Sequence, residues 1–201
     1  MFPLFESVCI VNGKIQHGAW HQRRYEAACR AFYQQAPAAP LFEGIAIPEE
    51  CYRGKYKLKI QYNKSHRRWQ FDPYLVKRIG SLQMVTDDSI DYALKYTNRS
   101  RLDELFQQRG DCDDVLIVKN GRITDSSHCN IVLFDGRSWY TPDTPLLRGT
   151  ARERLLHAKR IKAAPVMIDN IHQYKGFKLI NAMRELDEVP MESMENIFPL
   201  Q

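Results

Sequence analysis

A hairpin in the middle of the chain constrains the fold more than any other segment. Val115-Leu116-Ile117-Val118 is an unbroken apolar run, and Ile123-Thr124-Asp125 follows it after Lys119-Asn120-Gly121-Arg122. An Asn-Gly pair between two such runs is typical of a two-residue turn, because both residues tolerate the positive φ angles that the turn requires. The sequence therefore predicts an antiparallel strand pair whose second strand carries Asp125.

Further strands and helices are predicted on both sides of this hairpin. Residues 4–11 are rich in β-formers and precede a second Asn-Gly pair, Asn12-Gly13. Other strands are predicted at 56–62, 69–75, 82–85, 90–96, 130–134, 139–141 and 177–180. Helices are predicted at 20–34, at 150–161, and from a cap at Thr97 or Asn98 to Gly110. The chain is therefore α+β, with a small N-terminal lobe of residues 1–86 and a larger mixed-sheet lobe of residues 87–201.

Arg24 interrupts the predicted apolar face of the first helix. That face is formed by Trp20, Ala27, Ala28, Ala31 and Phe32. A charged guanidinium on an apolar face needs either a route to solvent or an anion to contact. On the residues alone both interpretations stay open, and the second predicts a site for an anionic group.

Composition and charge narrow the classes of function. The chain of 201 residues is 44% hydrophobic and 26% charged, as in ordinary globular proteins. No apolar run approaches the roughly 20 residues of a membrane span, and no signal peptide is recognisable, so no membrane partner is expected. A net charge of +5 suits an anionic small molecule better than nucleic acid. The five cysteines form no CxxC pair, which predicts a reduced, cytoplasmic protein without a metal site.

Lys95 is the candidate for covalent chemistry, because residues suited to one cofactor come after it in the chain. Pyridoxal phosphate requires an amine for its aldehyde, a carboxylate at its ring nitrogen and donors for its phosphate. Lys95, Asp125 and the predicted helix start at Gly149-Thr150-Ala151 could supply these in that order. The start of a helix suits phosphate, since its unpaired N–H groups and its dipole both favour an anion.

Five motifs in this order resemble those of the fold-type IV pyridoxal-phosphate enzymes, the class IV aminotransferases. That family includes branched-chain and D-amino acid aminotransferases and 4-amino-4-deoxychorismate lyase. The resemblance extends from Phe5 to about Met183. The motifs are His21-Gln22-Arg23-Arg24 for His-x-x-Arg, Lys95-Tyr96-Thr97-Asn98-Arg99 for the lysine segment, Thr124-Asp125 with Asn130 for Thr-Glu-x-x-x-x-Asn, Gly149-Thr150-Ala151-Arg152 for Gly-Ile-Thr-Arg, and Asn181-Ala182 for the Asn-Ala of the lyase.

This resemblance implies a two-lobed, D-amino acid aminotransferase-like fold that is shortened at its N-terminus and forms a homodimer. It also implies pyridoxal 5'-phosphate as the cofactor. Lys95 would form the Schiff base, and Asp125 would contact the ring nitrogen. The remaining candidates for cofactor binding are Arg24, Gly149, Thr150, Ala151, Asn181 and Ala182. Because Asp125 is one methylene shorter than the family's glutamate, its contact requires a shifted backbone or a bridging water.

Three functions are compatible with these motifs. The lysine segment and Asn181-Ala182 favour a lyase that converts 4-amino-4-deoxychorismate to 4-aminobenzoate and pyruvate. The alternative is an aminotransferase for branched-chain or D-amino acids, and the third is a homologue without turnover. Under both enzyme hypotheses the substrate is a small anionic amine or amino acid.

Overall fold

The computed structural model describes residues 1–200, which divide into two compact units. The first unit comprises residues 1–76 and 94–98, and the second comprises residues 77–93 and the chain from 99 onward. Within residues 1–200, no helix is both long and apolar enough to cross a membrane.

The first unit is an antiparallel sheet with one long helix. Its strands are β1 (Leu4–Val11), β2 (Lys14–Ile15), β3 (Lys55–Tyr62) and β4 (Arg67–Pro73), and they pair in the order β2-β1-β3-β4. Helix α1 (Gly18–Tyr33) follows β2, and a 3-10 helix spans Glu49–Tyr52. Asn12 and Gly13 have φ angles of 48° and 75°, so the predicted turn between β1 and β2 is confirmed. The predicted strands at 56–62 and 69–75 correspond to β3 and β4.

The buried face of α1 differs from the predicted one. Ala27, Ala31 and Phe32 are exposed, and the helix buries His21, Tyr25, Ala28 and Cys29 instead. Two contacts explain why this other face of α1 is buried. The Tyr25 ring packs edge-on against Tyr62 with centroids 4.7 Å apart, and His21 bonds to the buried carboxylate of Glu6 on β1. A count of apolar residues along the helix misses these polar and aromatic partners.

The second unit contains a mixed sheet. Its strands are β5 (Leu82–Thr86), β6 (Asp114–Lys119), β7 (Arg122–Ser126), β8 (Asn130–Phe134), β9 (Trp139–Pro142), β10 (Lys162–Ala164), β11 (Gly176–Ile180), β12 (Glu192–Ser193) and β13 (Ile197–Phe198). They pair in the order β10-β9-β8-β7-β6-β5-β13, with β11 pairing to β8 and β12. Parallel pairs join β5 to β6, β13 to β5 and β10 to β9. Asn120 and Gly121, at φ 51° and 71°, confirm the hairpin between β6 and β7.

The helices of this unit are shorter than predicted. Helix α2 (Ser100–Gln107) begins after Arg99 rather than at Thr97 or Asn98, and no side chain caps its first turn. Helix α3 (Thr150–His157) ends four residues before Ile161, because Lys159 adopts a left-handed φ of 56° that breaks the helix. Short 3-10 helices at Ile168–Gln173 and Met194–Asn196 complete the unit.

The predicted strand at residues 90–96 is wrong, because this segment forms a turn. Asp91 accepts a hydrogen bond from the backbone of Ala93, and Tyr96 donates its N–H to the carbonyl of Leu94, so the segment turns tightly. Leu94 and Tyr96 pack on the core of the first unit, whereas residues 77–93 belong to the second. The predicted lobes, 1–86 and 87–201, therefore differ from the two units: β5 joins the second through β6, and Lys95 joins the first.

Candidate active site

In the first unit, Arg24 belongs to a hydrogen-bonded cluster that is centred on Glu6 of β1. The Glu6 side chain is 0% exposed, and that of Arg24 is 16% exposed. Arg24 donates from Nε to Oε1 at 2.8 Å and from Nη2 to Oε2 at 2.6 Å. Nδ1 of His21 lies 2.6 Å from the same Oε2. The guanidinium is thus held along one edge by both oxygens of a single carboxylate.

Charge balance within this cluster follows from its pKa values. Burial alone would raise the pKa of Glu6, but the charge of Arg24 and the hydrogen bonds from His21 and Arg24 hold it at about 2. Burial lowers the pKa of His21 below 6.5, against the opposing effect of Glu6, and the charges of Arg24 and Lys95 lower it further. At neutral pH Glu6 is ionised and His21 is neutral, so the carboxylate and the guanidinium cancel each other's charge.

Lys95 lies in a loop of the first unit that is tied to β1. Its carbonyl accepts a hydrogen bond from the backbone of Phe5 at 3.0 Å, and two residues later Thr97 donates to the carbonyl of Pro3 at 2.7 Å. The Lys95 Nζ lies 4.7 Å from the centroid of the Phe5 ring, within range of a cation–π contact. Consecutive residues of β1, Phe5 and Glu6, therefore contact Lys95 and Arg24 respectively.

In the second unit, Asp125 is a buried carboxylate held by neutral donors. The residue is 5% exposed. Its Oδ1 accepts from the Asn130 side chain at 2.7 Å and its Oδ2 from the backbone N–H of Leu147 at 2.9 Å. Burial raises its pKa to about 6, although these hydrogen bonds and the charge of Arg152 oppose the shift. Within residues 1–200, no salt bridge to Asp125 is formed.

Gly149 and the start of α3 lie against the same amide. Asn130 also donates to the carbonyl of Leu147 at 2.9 Å, and its Oδ1 lies so close to Gly149 that an added Cβ would overlap it. Helix α3 begins at Thr150 without a side-chain cap, although Gly149, Thr150 and Ala151 are all buried. The first N–H groups of a helix lack intrahelical partners, so a buried and uncapped start calls for an acceptor from elsewhere.

Asn181 and Ala182 lie in the turn that follows β11. The Asn181 amide donates to the carbonyl of His128 at 3.3 Å and to the Cys129 sulfur at 3.2 Å, and its oxygen accepts from the backbone of Met183. His128 and Cys129 belong to the tight connection that runs from Asp125 to Asn130. Asn181 thus supports the connection that follows the strand of Asp125, while the roles of Asn181 and Ala182 toward a cofactor stay predictions.

Two residues that shape these groups were not among the predicted site residues. Glu6 could have been noticed as a lone acid in the apolar run Leu4–Val11, where burial of a charge demands a partner. Asn130 was identified only as part of a motif, and its contact with Gly149 depends on a loop conformation that no local pattern encodes.

Comparison with known proteins identifies the family. The model of the amino-transferase class IV family matches residues 53–190, more than half of the chain. An uncharacterized protein of Haemophilus influenzae is 42% identical over 188 residues, which cover 92% of this chain and 100% of that protein. A proposed 4-amino-4-deoxychorismate lyase of Haemophilus somnus 129PT has a structure with TM-score 0.88 and 36% identity, over 92% of this chain and 98% of that one.

More distant structures share the fold. A hypothetical aminotransferase from Mycobacterium tuberculosis, in a form with bound pyridoxal phosphate, aligns with TM-score 0.78 at 14% identity, over 97% of this chain and 81% of that one. At this identity the likeness concerns the fold alone. The family match and the two closer relatives carry the assignment, and the chain therefore belongs to the class IV aminotransferases, which are fold-type IV, pyridoxal-phosphate-dependent enzymes.

Proposed function

We propose that this protein is a lyase that converts 4-amino-4-deoxychorismate to 4-aminobenzoate and pyruvate. The choice of reaction rests on the 36% identity to the Haemophilus somnus protein, itself a proposed lyase, over nearly its whole length. Two local features add support, because Asn181-Ala182 and Lys95-Tyr96-Thr97-Asn98-Arg99 resemble the corresponding segments of such lyases.

Asp125 would hold the ring nitrogen of pyridoxal phosphate. A buried carboxylate whose hydrogen-bond donors are neutral and whose pKa is raised to about 6 has an unmet preference for a cation. A protonated ring nitrogen is such a cation, and each carboxylate oxygen can accept a second hydrogen bond. These features of Asp125 fit the cofactor.

The phosphate would be bound by the start of α3 and by Arg24. The buried, uncapped N-terminus of α3 at Gly149-Thr150-Ala151 offers backbone donors that favour an anion. Arg24 adds a guanidinium whose planar donors match phosphate oxygens.

Lys95 would move the protons of the reaction. Bound pyridoxal phosphate supplies an electron-withdrawing ring that stabilises negative charge on the carbon next to the substrate's amine. The Lys95 amine would remove the proton from that carbon as a general base and return a proton to the methylene carbon of the departing enolpyruvate. The C–O bond between the substrate ring and the enolpyruvyl oxygen would break, and the ring would become aromatic. The atoms of the substrate account for both products, 4-aminobenzoate and pyruvate.

Absorption spectroscopy combined with product analysis tests this function. We expect the protein loaded with pyridoxal phosphate to absorb in the visible range and to release 4-aminobenzoate from 4-amino-4-deoxychorismate. Lys95→Ala should abolish both. Lys59→Ala is the matched control, since the Lys59 Nζ also lies near the Phe5 ring, at 5.3 Å, and should leave both intact.

The other outcomes separate the remaining functions. A protein that gains no visible band with added cofactor, or a Lys95→Ala variant that keeps the band, would contradict the proposal. A protein that transfers the amine of an aliphatic amino acid to a keto acid, and forms no 4-aminobenzoate, would be an aminotransferase, which the family match over residues 53–190 favours as the second candidate. A coloured protein without either turnover would be a non-catalytic homologue.

A further inference from the structure

We propose that Glu6 is the positioning residue for Arg24, fixing the orientation in which its guanidinium meets the phosphate of the cofactor. The proposal rests on the proposed binding of pyridoxal phosphate and adds to it a residue of the first unit. Glu6 itself would not touch the cofactor, because both of its oxygens are engaged by Arg24 and His21.

The geometry of the pair supports a positioning role. The two contacts hold the Nε–Nη2 edge of Arg24 against both oxygens of Glu6, so Glu6 sets the plane and the direction of the guanidinium. An unrestrained arginine loses side-chain entropy when a ligand fixes it. A guanidinium that is already held along one edge has lost most of that freedom before any ligand arrives, so less affinity is lost on binding.

The charges of the cluster argue against a role for Glu6 in simple attraction. Arg24 would attract phosphate more strongly without an ionised carboxylate 2.6 Å from its Nη2. A carboxylate at this place lowers the net charge presented to an anion, so its benefit must lie in orientation. His21 completes the arrangement, since its ring nitrogen contacts Oε2 and restrains the plane of the carboxylate.

The proposal is tested by comparing the affinity for pyridoxal phosphate with that for pyridoxal, which has the same ring and aldehyde but no phosphate. Dissociation constants from the visible band are measured for wild type, Glu6→Gln, Arg24→Gln and the double variant. We expect Glu6→Gln to weaken the binding of pyridoxal phosphate by roughly tenfold to a hundredfold, the size of one lost hydrogen bond to a charged group. Its affinity for pyridoxal should stay unchanged.

The double variant shows whether Glu6 acts through Arg24. If it does, Glu6→Gln costs nothing further once Arg24 is already replaced, because the residue it positions is gone. Glu192→Gln is the matched control, since Glu192 accepts a similar two-fold contact from Arg78 in the second unit and should leave both affinities unchanged.

Each contrary result identifies what fails. If wild type binds no pyridoxal phosphate, the proposed function is wrong. If wild type binds it but Glu6→Gln leaves its affinity unchanged, weakens both ligands equally, or adds its full effect to that of Arg24→Gln, the positioning role is wrong. Should Glu6→Gln not fold, Glu6→Asp replaces it: the charge is kept, the shorter side chain draws the guanidinium away, and the same phosphate-specific loss is expected.

Discussion

Two carboxylates, one in each unit, are almost fully removed from solvent, and yet their pKa values are shifted in opposite directions. Glu6 has a pKa of about 2, well below its ordinary 4.5, and Asp125 has a pKa of about 6, well above its ordinary 3.8. Burial alone would raise the pKa of both. The difference comes from their partners, because Glu6 bonds to the cationic Arg24, whereas Asp125 bonds to an amide and a backbone N–H.

This contrast separates a satisfied charge from an unsatisfied one. Glu6 finds its counter-ion within the chain, so its role is internal and concerns the orientation of Arg24. Asp125 is surrounded by donors that hold its oxygens without neutralising them. In a family of pyridoxal-phosphate enzymes, this is the group for which we propose an external cation, the protonated ring nitrogen.

The largest expected effect is the loss of the Glu6 charge. Glu6→Gln should lower the free energy of unfolding at pH 7 by about 4 kcal/mol, because it removes the anion from a buried ion pair and leaves Arg24 beside a neutral amide. Urea denaturation of the cofactor-free protein measures the change. A loss below about 1 kcal/mol would show that Arg24 reaches solvent without difficulty and that the two carboxylates differ less than their pKa values indicate.

The pH dependence of the free energy of unfolding should reveal the raised pKa of Asp125. Its folded-state pKa is raised, so the unfolded chain ionises first as the pH increases from 3.8, and the folded state loses stability until about pH 6. The total is about 3 kcal/mol from a shift of roughly two pKa units. We expect the unfolding free energy of Asp125→Asn, relative to wild type, to rise by this amount between about pH 4 and pH 7.

Glu6 gives the opposite slope in the same experiment. Its lowered pKa means that its stabilisation is complete above pH 4.5 and is lost as the pH falls toward 2. Saturating pyridoxal phosphate should remove the Asp125 slope and leave the Glu6 slope in place. If the cofactor changes neither slope, Asp125 does not bind its cationic nitrogen.

An intermediate effect is expected at Gly149. Its φ of −64° suits any residue, so Gly149→Ala acts only through the added Cβ, which would overlap the Asn130 oxygen and displace the amide from Asp125. We expect a loss of about 2 kcal/mol, from one lost hydrogen bond and local overpacking. Gly80→Ala is the control, since its nearest neighbour would lie 3.5 Å away. Equal stability of the two variants would mean that Asn130 is not needed to hold Asp125.

The smallest effect is expected at an ion pair whose arginine reaches water. Glu192 contacts Arg78 through two hydrogen bonds, as Glu6 contacts Arg24, but the Arg78 side chain is 73% exposed. Glu192→Gln leaves a solvated guanidinium and should lower the free energy of unfolding far less than Glu6→Gln does in urea denaturation. A cost as large as that of Glu6→Gln would indicate that bidentate geometry, rather than burial, determines the strength of both pairs.

Local signals predicted much of this molecule. The hairpin at 115–125 follows from an Asn-Gly pair whose φ angles are set by two residues. Ordered motifs identify Arg24, Lys95, Asp125 and Gly149 as site residues, and their roles toward a cofactor stay predictions. The failures concern information that lies far away in the chain. Residues 90–96 alternate like a strand but form a turn, from which Leu94 and Tyr96 pack on residues much earlier in the chain. The buried face of α1 depends on Glu6, fifteen positions before His21. Nothing within a helical window reports such a partner.

The return of residues 94–98 to the first unit has a consequence for how the protein is made. Leu4 forms a bridge to Tyr96, and Phe5 bonds to Lys95, so the earliest strand is completed by a segment that emerges from the ribosome much later. Contacts of such long sequence separation slow folding, since a large loop must close before they form. A fragment that stops at Val76 would lack Leu94 and Tyr96 from its core, and a genetic dissection of the protein into separate halves must carry residues 94–98 along with the first.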